Sequence, residues 1–225
     1  SAVLLADLGE GDEADVVLLN TCAVREKAEE RIFGRLGWLK SSKAKRPGLV
    51  VGVAGCMAEH LKEKLVKRAP YVDIVIGPDA YRRLPELLDE AAPEADPLVD
   101  VRLDKAELYD GVEPERAKGV SGWISVSRGC DKFCTFCVVP YTRGRERNVA
   151  PDSIVKQAVG MERAGFSEVT LLGQTVSSYR HDDADFAGLL RAVHARTERL
   201  RIRFTSPYPT DFSDEVLETL AELPR

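Results

Sequence analysis

The sequence predicts an α/β protein in which an N-terminal parallel-sheet βα domain is followed by part of a (βα) barrel. Short segments that are apolar throughout recur along the chain, and each is followed by a segment whose apolar residues have helical spacing. Strands of this kind are typical of parallel sheets that helices cover on both faces. An acidic, proline-containing stretch interrupts the alternation once. We therefore expect one domain at 1–92, a linker at 93–119 and a second domain at 120–225.

The first domain is predicted to alternate strands with helices. The strands are expected at 15–19, 49–54 and 72–76, and the helices at 23–39, 58–68 and 81–90, the last one capped by Pro78-Asp79. A further helix is expected at 2–8, ahead of the first strand. Because the chain opens on a helix rather than on a strand, we expect the leading strand of this domain to be missing from the sequence.

The linker is acidic and the second domain resumes the βα alternation. Between 94 and 113 there are seven acidic and two basic residues, and a short edge strand is expected at 98–103. Strands are then predicted at 122–127, 168–172 and 201–204, and helices at 152–164, 186–199 and 214–223. A closed eight-fold barrel takes about 250 residues. We therefore expect the sequence to contain only the N-terminal half of this domain.

The composition is that of a globular protein. Of the 225 residues, 44 % are hydrophobic and 31 % are charged, which excludes a disordered or low-complexity chain. No apolar run approaches the roughly 20 residues needed to cross a bilayer, and no secretory leader opens the chain. The net charge of -5 does not exclude nucleic-acid binding, because a local basic patch can bind where the average charge would not. We expect a monomeric, cytoplasmic protein without a membrane partner.

Three cysteines stand on one loop directly after the first strand of the second domain. They are Cys130, Cys134 and Cys137, in the spacing C-x3-C-x2-C. A structural zinc site has four protein ligands, and this loop offers three thiols and no histidine. Thiolates also bind iron–sulfur clusters, and three of them leave the fourth iron of a 4Fe-4S cluster open to a small molecule. Zinc and three buried, unliganded thiols are the alternatives.

The loop resembles the signature of the radical S-adenosylmethionine (SAM) superfamily, in which an aromatic residue, here Phe136, precedes the last cysteine. The resemblance implies a radical SAM barrel in which Cys130, Cys134 and Cys137 hold a 4Fe-4S cluster. It also implies that the open iron binds SAM and that an electron from the cluster cleaves it to methionine and a 5′-deoxyadenosyl radical. Phe136 is then expected to pack near the adenine.

Other segments narrow the resemblance to the methylthiotransferases of that superfamily. They are 20–25, 55–58, 137–144, 171–174 with Tyr179, and 203–207 with Pro209 and Phe212. The set is most similar to the tRNA branch, which adds a methylthio group to carbon 2 of N6-dimethylallyladenosine beside the anticodon. The resemblance therefore implies a tRNA anticodon stem-loop as partner, with one SAM donating the methyl group and another supplying the radical. A methylthiotransferase acting on another tRNA base or on a ribosomal protein, and a truncated cluster- or RNA-binding module without activity, are the alternatives.

Cys22 and Cys56 each follow an apolar strand and precede a helix. Neighbouring parallel strands end on the same side of a sheet, so both thiols should face one crevice, where helix N-termini favour the thiolate. Two small buried residues at strand ends are the alternative. The resemblance implies that these cysteines are two of the three ligands of a second 4Fe-4S cluster, which handles the sulfur. The third ligand, on the leading strand, is not in this sequence.

The cysteine loop is basic in an otherwise acidic chain. Six basic and two acidic residues lie between 118 and 147, interleaved with aromatic residues. Basic side chains contact phosphates, and aromatic ones stack on splayed bases. Arg143, Arg145 and Arg147 are therefore predicted to contact RNA, with a solvated charged loop as the alternative.

Polar residues follow the second and third strands of the second domain. Gln174 and Thr175 come after the strand at 168–172, and Ser206 comes after the strand at 201–204. Reactants gather at the carboxyl ends of barrel strands, so these residues are candidate SAM or adenosine contacts. Helix capping by Gln174 and turn formation by Ser206 are the alternatives. No residue is assigned a catalytic role.

Overall fold

The structure, a computed structural model, describes residues 14–23, 26–92, 95–112 and 119–224. The helix expected at 2–8 lies outside the described residues. The chain divides into two units. The first consists of the described residues up to Asp104 together with Phe133–Gly144, and the second consists of those in Lys105–Lys132 and those from Arg145 onward.

The first unit is built on a four-stranded parallel sheet whose strands follow their order in the chain. The strands are β1 (Val16–Thr21), β2 (Val50–Gly55), β3 (Ile74–Ile76) and β4 (Leu98–Asp100). Most side chains of β2 and all of those of β3 are buried, as expected for apolar strands between two helical layers. The short strand expected at the edge joins this sheet as β4.

The helices of the first unit cover this sheet. They are α1 (Glu26–Lys45), α2 (Cys56–Leu61), α3 (Glu63–Arg68), α4 (Leu84–Glu90), which follows the 3-10 turn Tyr81–Arg83, and α5 (Val139–Arg143). Helix α1 buries Ile32, Leu36 and Leu39 on the predicted side. Helix α5, from the cysteine loop, packs against α2.

Two helix predictions in the first unit need correction. A single helix was expected at 58–68, but the structure has two short ones. They are separated at Lys62, whose φ of 50° lies in the left-handed region and cannot continue an α-helix. The helix expected at 81–90 begins as a 3-10 turn. The residue at the N-cap position of that turn is Ala80.

The second unit contains a three-stranded parallel sheet in which β8 (Glu168–Leu172) lies between β5 (Ser121–Ser125) and β11 (Arg201–Phe204). Two short antiparallel pairs accompany it, β6 (Ser127–Arg128) with β7 (Arg147–Asn148) and β9 (Arg180–His181) with β10 (Ala184–Asp185). The helices are α6 (Pro151–Arg163), α7 (Phe186–Arg196) and α8 (Asp214–Glu222). The α/β class is thereby confirmed.

The core of the second unit lies between the sheet and its helices, where Ile124, Leu171 and Phe186 are almost fully buried. Side chains cap two of the helices: Asp185 accepts from the backbone of Gly188, and Ser213 accepts from that of Val216. Successive strand–helix units thus leave the carboxyl ends of β5, β8 and β11 along one edge. None of the helices in the described ranges is long and apolar enough to cross a membrane.

Candidate functional site

The cysteine loop is divided between the two units. Cys130 belongs to the second unit, and Cys134 and Cys137 belong to the first. The backbone turns sharply around Cys130, where Gly129 has a φ of 76° and Phe133 a φ of 47°. Glycine adopts such a φ without strain, which explains Gly129. The backbone N–H of Cys137 donates to the carbonyl of Cys134 at 2.9 Å, so these two cysteines share one tight turn.

The three cysteines of the loop are free thiols. Among the described residues, no three His, Cys, Asp or Glu side chains converge on a point that a single metal ion could occupy. A 4Fe-4S cluster differs from a single ion because each thiolate binds a different iron and the thiols stand at separate corners of a cube. The donor chemistry of three thiols without an imidazole therefore fits a cluster better than a zinc ion.

Cys130 is the most enclosed of the three, with only 7 % of its surface exposed. Its Sγ lies 3.2 Å from the hydroxyl oxygen of Thr175 and 3.5 Å from the backbone nitrogen of Lys132, both in the second unit. Thr175 follows β8 and is 5 % exposed. The first cysteine of the loop therefore contacts a residue just past the end of β8, the central strand of the second unit's sheet.

The aromatic residues of the loop are exposed. Phe136 is 92 % exposed, and the ring of Phe133 contacts that of Tyr141 edge to face, with centroids 6.4 Å apart. All three lie in the segment 133–144. The face of Phe136 is therefore accessible to a ligand or to a base, as its predicted role requires.

Near the strand ends of the second unit lie buried polar atoms that have no hydrogen-bond partner in the described part of the protein. The Oε1 atom of Gln174 and the Oγ atom of Ser127 are buried and have no hydrogen-bond partner there. A Cβ atom at Gly173 would come within 2.2 Å of that Ser127 oxygen, so glycine is needed between them. Buried polar atoms are normally hydrogen-bonded, and a polar ligand at this edge would satisfy both.

Ser206 lies on the loop after β11, which runs beside the loop after β8. The backbone N–H of Thr205 donates to the carbonyl of Leu171 at 3.2 Å, which holds the two strand ends together. Ser206 is exposed and has a φ of 55°, an uncommon conformation for a residue other than glycine. Its hydroxyl is accessible at the same edge as Gln174.

A polar network that the sequence did not reveal lies next to these loops. Lys132 pairs with Asp211, whose other oxygen accepts from the hydroxyl of Ser177 at 3.3 Å. The Lys132 ammonium also lies 4.9 Å from the centre of the Tyr208 ring. A cavity of about 300 Å³ opens here, lined by Ser177, Asp211 and neighbouring residues. Lys132 and Asp211 are 79 positions apart, so no local pattern could have paired them.

Cys22 and Cys56 leave the first sheet at the same edge, as expected. Thr21 and Gly55, the last residues of β1 and β2, are paired in register, and a cysteine follows each. Gly55 has a φ of 97°, and a Cβ atom there would lie 2.3 Å from the carbonyl oxygen of Thr21. The close approach of the two strand ends therefore requires glycine directly before Cys56. Cys22 is exposed and Cys56 is buried.

The side chain of Arg143 reaches into this edge of the first unit. Its Nε donates to the Sγ of Cys56 at 3.2 Å. Burial lowers the pKa of Arg143, but Cys56, Tyr81 and Cys22 outweigh that effect and hold the pKa above its usual value. The structure thus places Arg143 on a thiol and departs from the expected phosphate contact. Arg143 is half-buried, and its Nε lies on the buried thiol of Cys56.

The other two predicted RNA-contacting arginines have different surroundings. Arg145 binds both carboxylate oxygens of Asp131, at 2.6 and 3.1 Å, and thereby lowers the pKa of that carboxyl. The Arg145 side chain is nevertheless 68 % exposed. Arg147 lies in β7, opposite Arg128, and is half-buried.

Two protein-family models match this chain, one in its N-terminal part and one in its C-terminal part. Residues 6–77 match the uncharacterized protein family UPF0004, and residues 124–225 match the radical SAM superfamily. Two related proteins carry the name tRNA-2-methylthio-N(6)-dimethylallyladenosine synthase. The chain is 46 % identical to that of Stutzerimonas stutzeri (strain A1501), over 95 % of this chain and 49 % of the relative. It is 42 % identical to that of Neisseria meningitidis serogroup A / serotype 4A, over 96 % of this chain and 50 % of the relative.

The chain therefore spans about half the length of the curated relatives it matches. Among solved structures, it is similar to the radical SAM methyltransferase TsrM from Kitasatospora setae, with a TM-score of 0.58 and 17 % identity over 94 % of this chain and 47 % of that one. It is also similar to the cobalamin-dependent SAM radical enzyme OxsB, with a TM-score of 0.55 and 16 % identity over 85 % of this chain and 30 % of that one. These two similarities show that the chain shares the fold of parts of these two proteins.

Proposed function

Because this chain carries a UPF0004 domain followed by a radical SAM domain, we propose that its protein is a radical SAM tRNA methylthiotransferase. The reaction replaces the hydrogen at carbon 2 of N6-dimethylallyladenosine, next to the anticodon, by a methylthio group. One observation carries the proposal: the chain is 42–46 % identical, over nearly its whole length, to synthases named for this product. A protein with this substrate works where tRNA is, in the cytoplasm.

Cys130, Cys134 and Cys137 would hold a 4Fe-4S cluster with one open iron. Their chemistry supports this because they are free thiols on a single loop at the carboxyl edge of parallel strands. When bound, the cluster and SAM supply the electron and the 5′-deoxyadenosyl radical that activate a C–H bond. The protein's part is to bind and orient these groups and to keep water away from them.

The residues at the strand ends would bind SAM. Gln174 and Ser127 contribute buried oxygens that need a partner, and Ser206 contributes an accessible hydroxyl at the neighbouring strand end. Phe136 would stack on the adenine, since its ring is almost fully exposed. Ser127 was not predicted from the sequence. Its role is proposed because its buried hydroxyl packs against Gly173 and has no hydrogen-bond partner in the described part of the chain.

Cys22 and Cys56 would supply two ligands of a second 4Fe-4S cluster. The support is their common position at one sheet edge, after paired strand ends. This sequence provides two of the three thiols that the family resemblance implies. The tRNA would be contacted by Arg145 and Arg147, of which Arg145 is well exposed. Such contacts to phosphate position the RNA without reading its sequence.

Anaerobic reconstitution of the full-length protein tests this function. The reconstituted protein, with SAM and a reductant, is offered an anticodon stem-loop that carries N6-dimethylallyladenosine, and the nucleosides are analysed by mass spectrometry. We expect the methylthio product, and we expect the Cys134→Ala variant to yield none. A stem-loop with unmodified adenosine and a ribosomal protein serve as alternative substrates. Preferred modification of either one would overturn the substrate assignment.

A further inference from the structure

A hydrogen bond joins the first cysteine of the loop to the end of the central strand of the second unit. The Sγ atom of Cys130 and the Oγ1 atom of Thr175 are 3.2 Å apart. Both residues are buried, at 7 % and 5 % exposure. Water therefore does not compete for this bond, and a buried hydroxyl depends on such a partner.

Metal binding would decide which atom donates. In the free thiol either group can donate. A cysteine that binds iron does so as a thiolate and has no proton to give. The hydroxyl of Thr175 would then have to donate to Sγ, while the backbone N–H of Lys132, 3.5 Å from Sγ, points at the same atom.

The backbone on the carboxyl side of Thr175 is held firmly, so its hydroxyl has a defined direction. The carbonyl of Thr175 accepts from the backbone N–H of Ser178 at 3.3 Å. Val176 and Tyr179, which follow in the chain, are almost fully buried, and the Tyr179 hydroxyl donates to the carbonyl of Val149 at 2.6 Å. A donor fixed in this way can orient a metal ligand and not merely fill space.

We propose that Thr175 is a positioning residue that donates a hydrogen bond to the cluster-bound Sγ of Cys130 and raises the reduction potential of the cluster. The inference rests on the proposed function, in that Cys130 binds iron. Reduction adds negative charge to a cluster, and a hydrogen bond donated to one of its sulfur ligands stabilises that charge. The same bond fixes the direction of the Sγ atom and slows the loss of iron.

Two variants of the full-length protein separate the hydroxyl from the shape of the side chain. Thr175→Val keeps the branched shape and removes the donor, whereas Thr175→Ser keeps the donor. After anaerobic reconstitution, the midpoint potential is measured by redox titration followed by electron paramagnetic resonance. We expect a lower potential and faster iron release to a chelator for Thr175→Val, and values near those of the unmodified protein for Thr175→Ser.

Thr197→Val is the matched control because Thr197 is also buried, and its hydroxyl donates to the carbonyl of Val193 at 2.9 Å. We expect the potential of this variant to be unchanged. Equal potentials for Thr175→Val and the unmodified protein would overturn the inference and leave the proposed function standing. If no cluster forms in the unmodified full-length protein, the assignment of Cys130 as an iron ligand fails first. If Thr175→Val does not fold, Thr175→Ala replaces it, and the same lowered potential is required.

Discussion

The Nε atom of Arg143 donates a hydrogen bond to the Sγ atom of Cys56 at a distance of 3.2 Å. The two residues are 87 positions apart in the chain and meet because α5 packs against α2, the helix that begins at Cys56. The segment that carries Cys134 and Cys137 is thus attached to the edge of the first sheet by a charged hydrogen bond. Bonds from charged donors are among the stronger ones that a protein makes.

Arg143 should therefore stabilise the first unit, and Arg145 should contribute little. For Arg143→Ala we expect a loss of about 1.5–3 kcal/mol in the free energy of unfolding, because a hydrogen bond from a charged group is removed. For Arg145→Ala, whose partner Asp131 is also partly exposed, we expect a much smaller loss, because water screens an exposed ion pair. Urea denaturation measures both. Equal losses for the two variants would contradict the difference in their surroundings.

Arg145 should instead affect RNA binding by the full-length protein. Arg145→Ala is expected to weaken binding of the tRNA stem-loop. It should also make the slope of log K against log salt shallower, by the amount that about one phosphate contact contributes. Asp131→Asn should do the opposite, because it removes the carboxylate that neutralises Arg145. Binding titrations at several KCl concentrations measure the slopes. If both variants match the unmodified protein, the loop does not contact RNA through Arg145.

Glu59 should make stability depend on pH. It is 1 % exposed, and burial raises its pKa above 4.5, while Lys62 partly offsets the rise and Asp79 and Asp100 add to it. The folded state therefore keeps the proton to a higher pH than the unfolded state. Its stabilising effect is complete below pH 4.5 and is lost as the pH rises through the raised pKa.

Glu59→Gln should thus increase the free energy of unfolding at pH 8, by about 1.4 kcal/mol for each pH unit by which burial raises the pKa of Glu59, and the gain should vanish toward pH 4. Denaturant titrations across this pH range test the expectation. Glu90→Gln, on an exposed position of α4, is the control for the substitution itself. A gain that is independent of pH would mean that packing, not the charge, is responsible.

Gly55 should resist substitution because its backbone is in a conformation that other residues avoid. A Cβ atom there would lie 2.3 Å from the carbonyl oxygen of Thr21, in addition to the strain of a φ of 97°. For Gly55→Ala we expect a loss of at least about 1–2 kcal/mol in the free energy of unfolding. Gly34→Ala, in the exposed middle of α1 where nothing lies within 4 Å, should instead be stabilising by about 0.5–1 kcal/mol. Urea denaturation of the two variants should therefore give shifts of opposite sign.

Local patterns in the sequence were sufficient for most of the secondary structure. The strands at Glu168–Leu172 and Arg201–Phe204 have the predicted bounds, and the other predicted strands and helices in the described ranges were found with shifted ends, apart from the helix broken at Lys62. Apolar runs and helical spacing report which side of a segment is buried, and that is a property of neighbouring residues. The same holds for the three cysteines of the loop, whose spacing is itself the signal.

The contacts between distant segments depended on the tertiary structure alone. Cys130 meets Thr175 across 45 positions, and Cys56 meets Arg143 across 87. The basic character of the loop predicted a phosphate contact for Arg143, whereas the packing of α5 on α2 gives that guanidinium a buried thiol. A sequence pattern shows that a side chain is charged or apolar, but its partner is chosen by the three-dimensional arrangement of helices and strands, because hydrogen bonds act over a few ångströms of space and not along the chain.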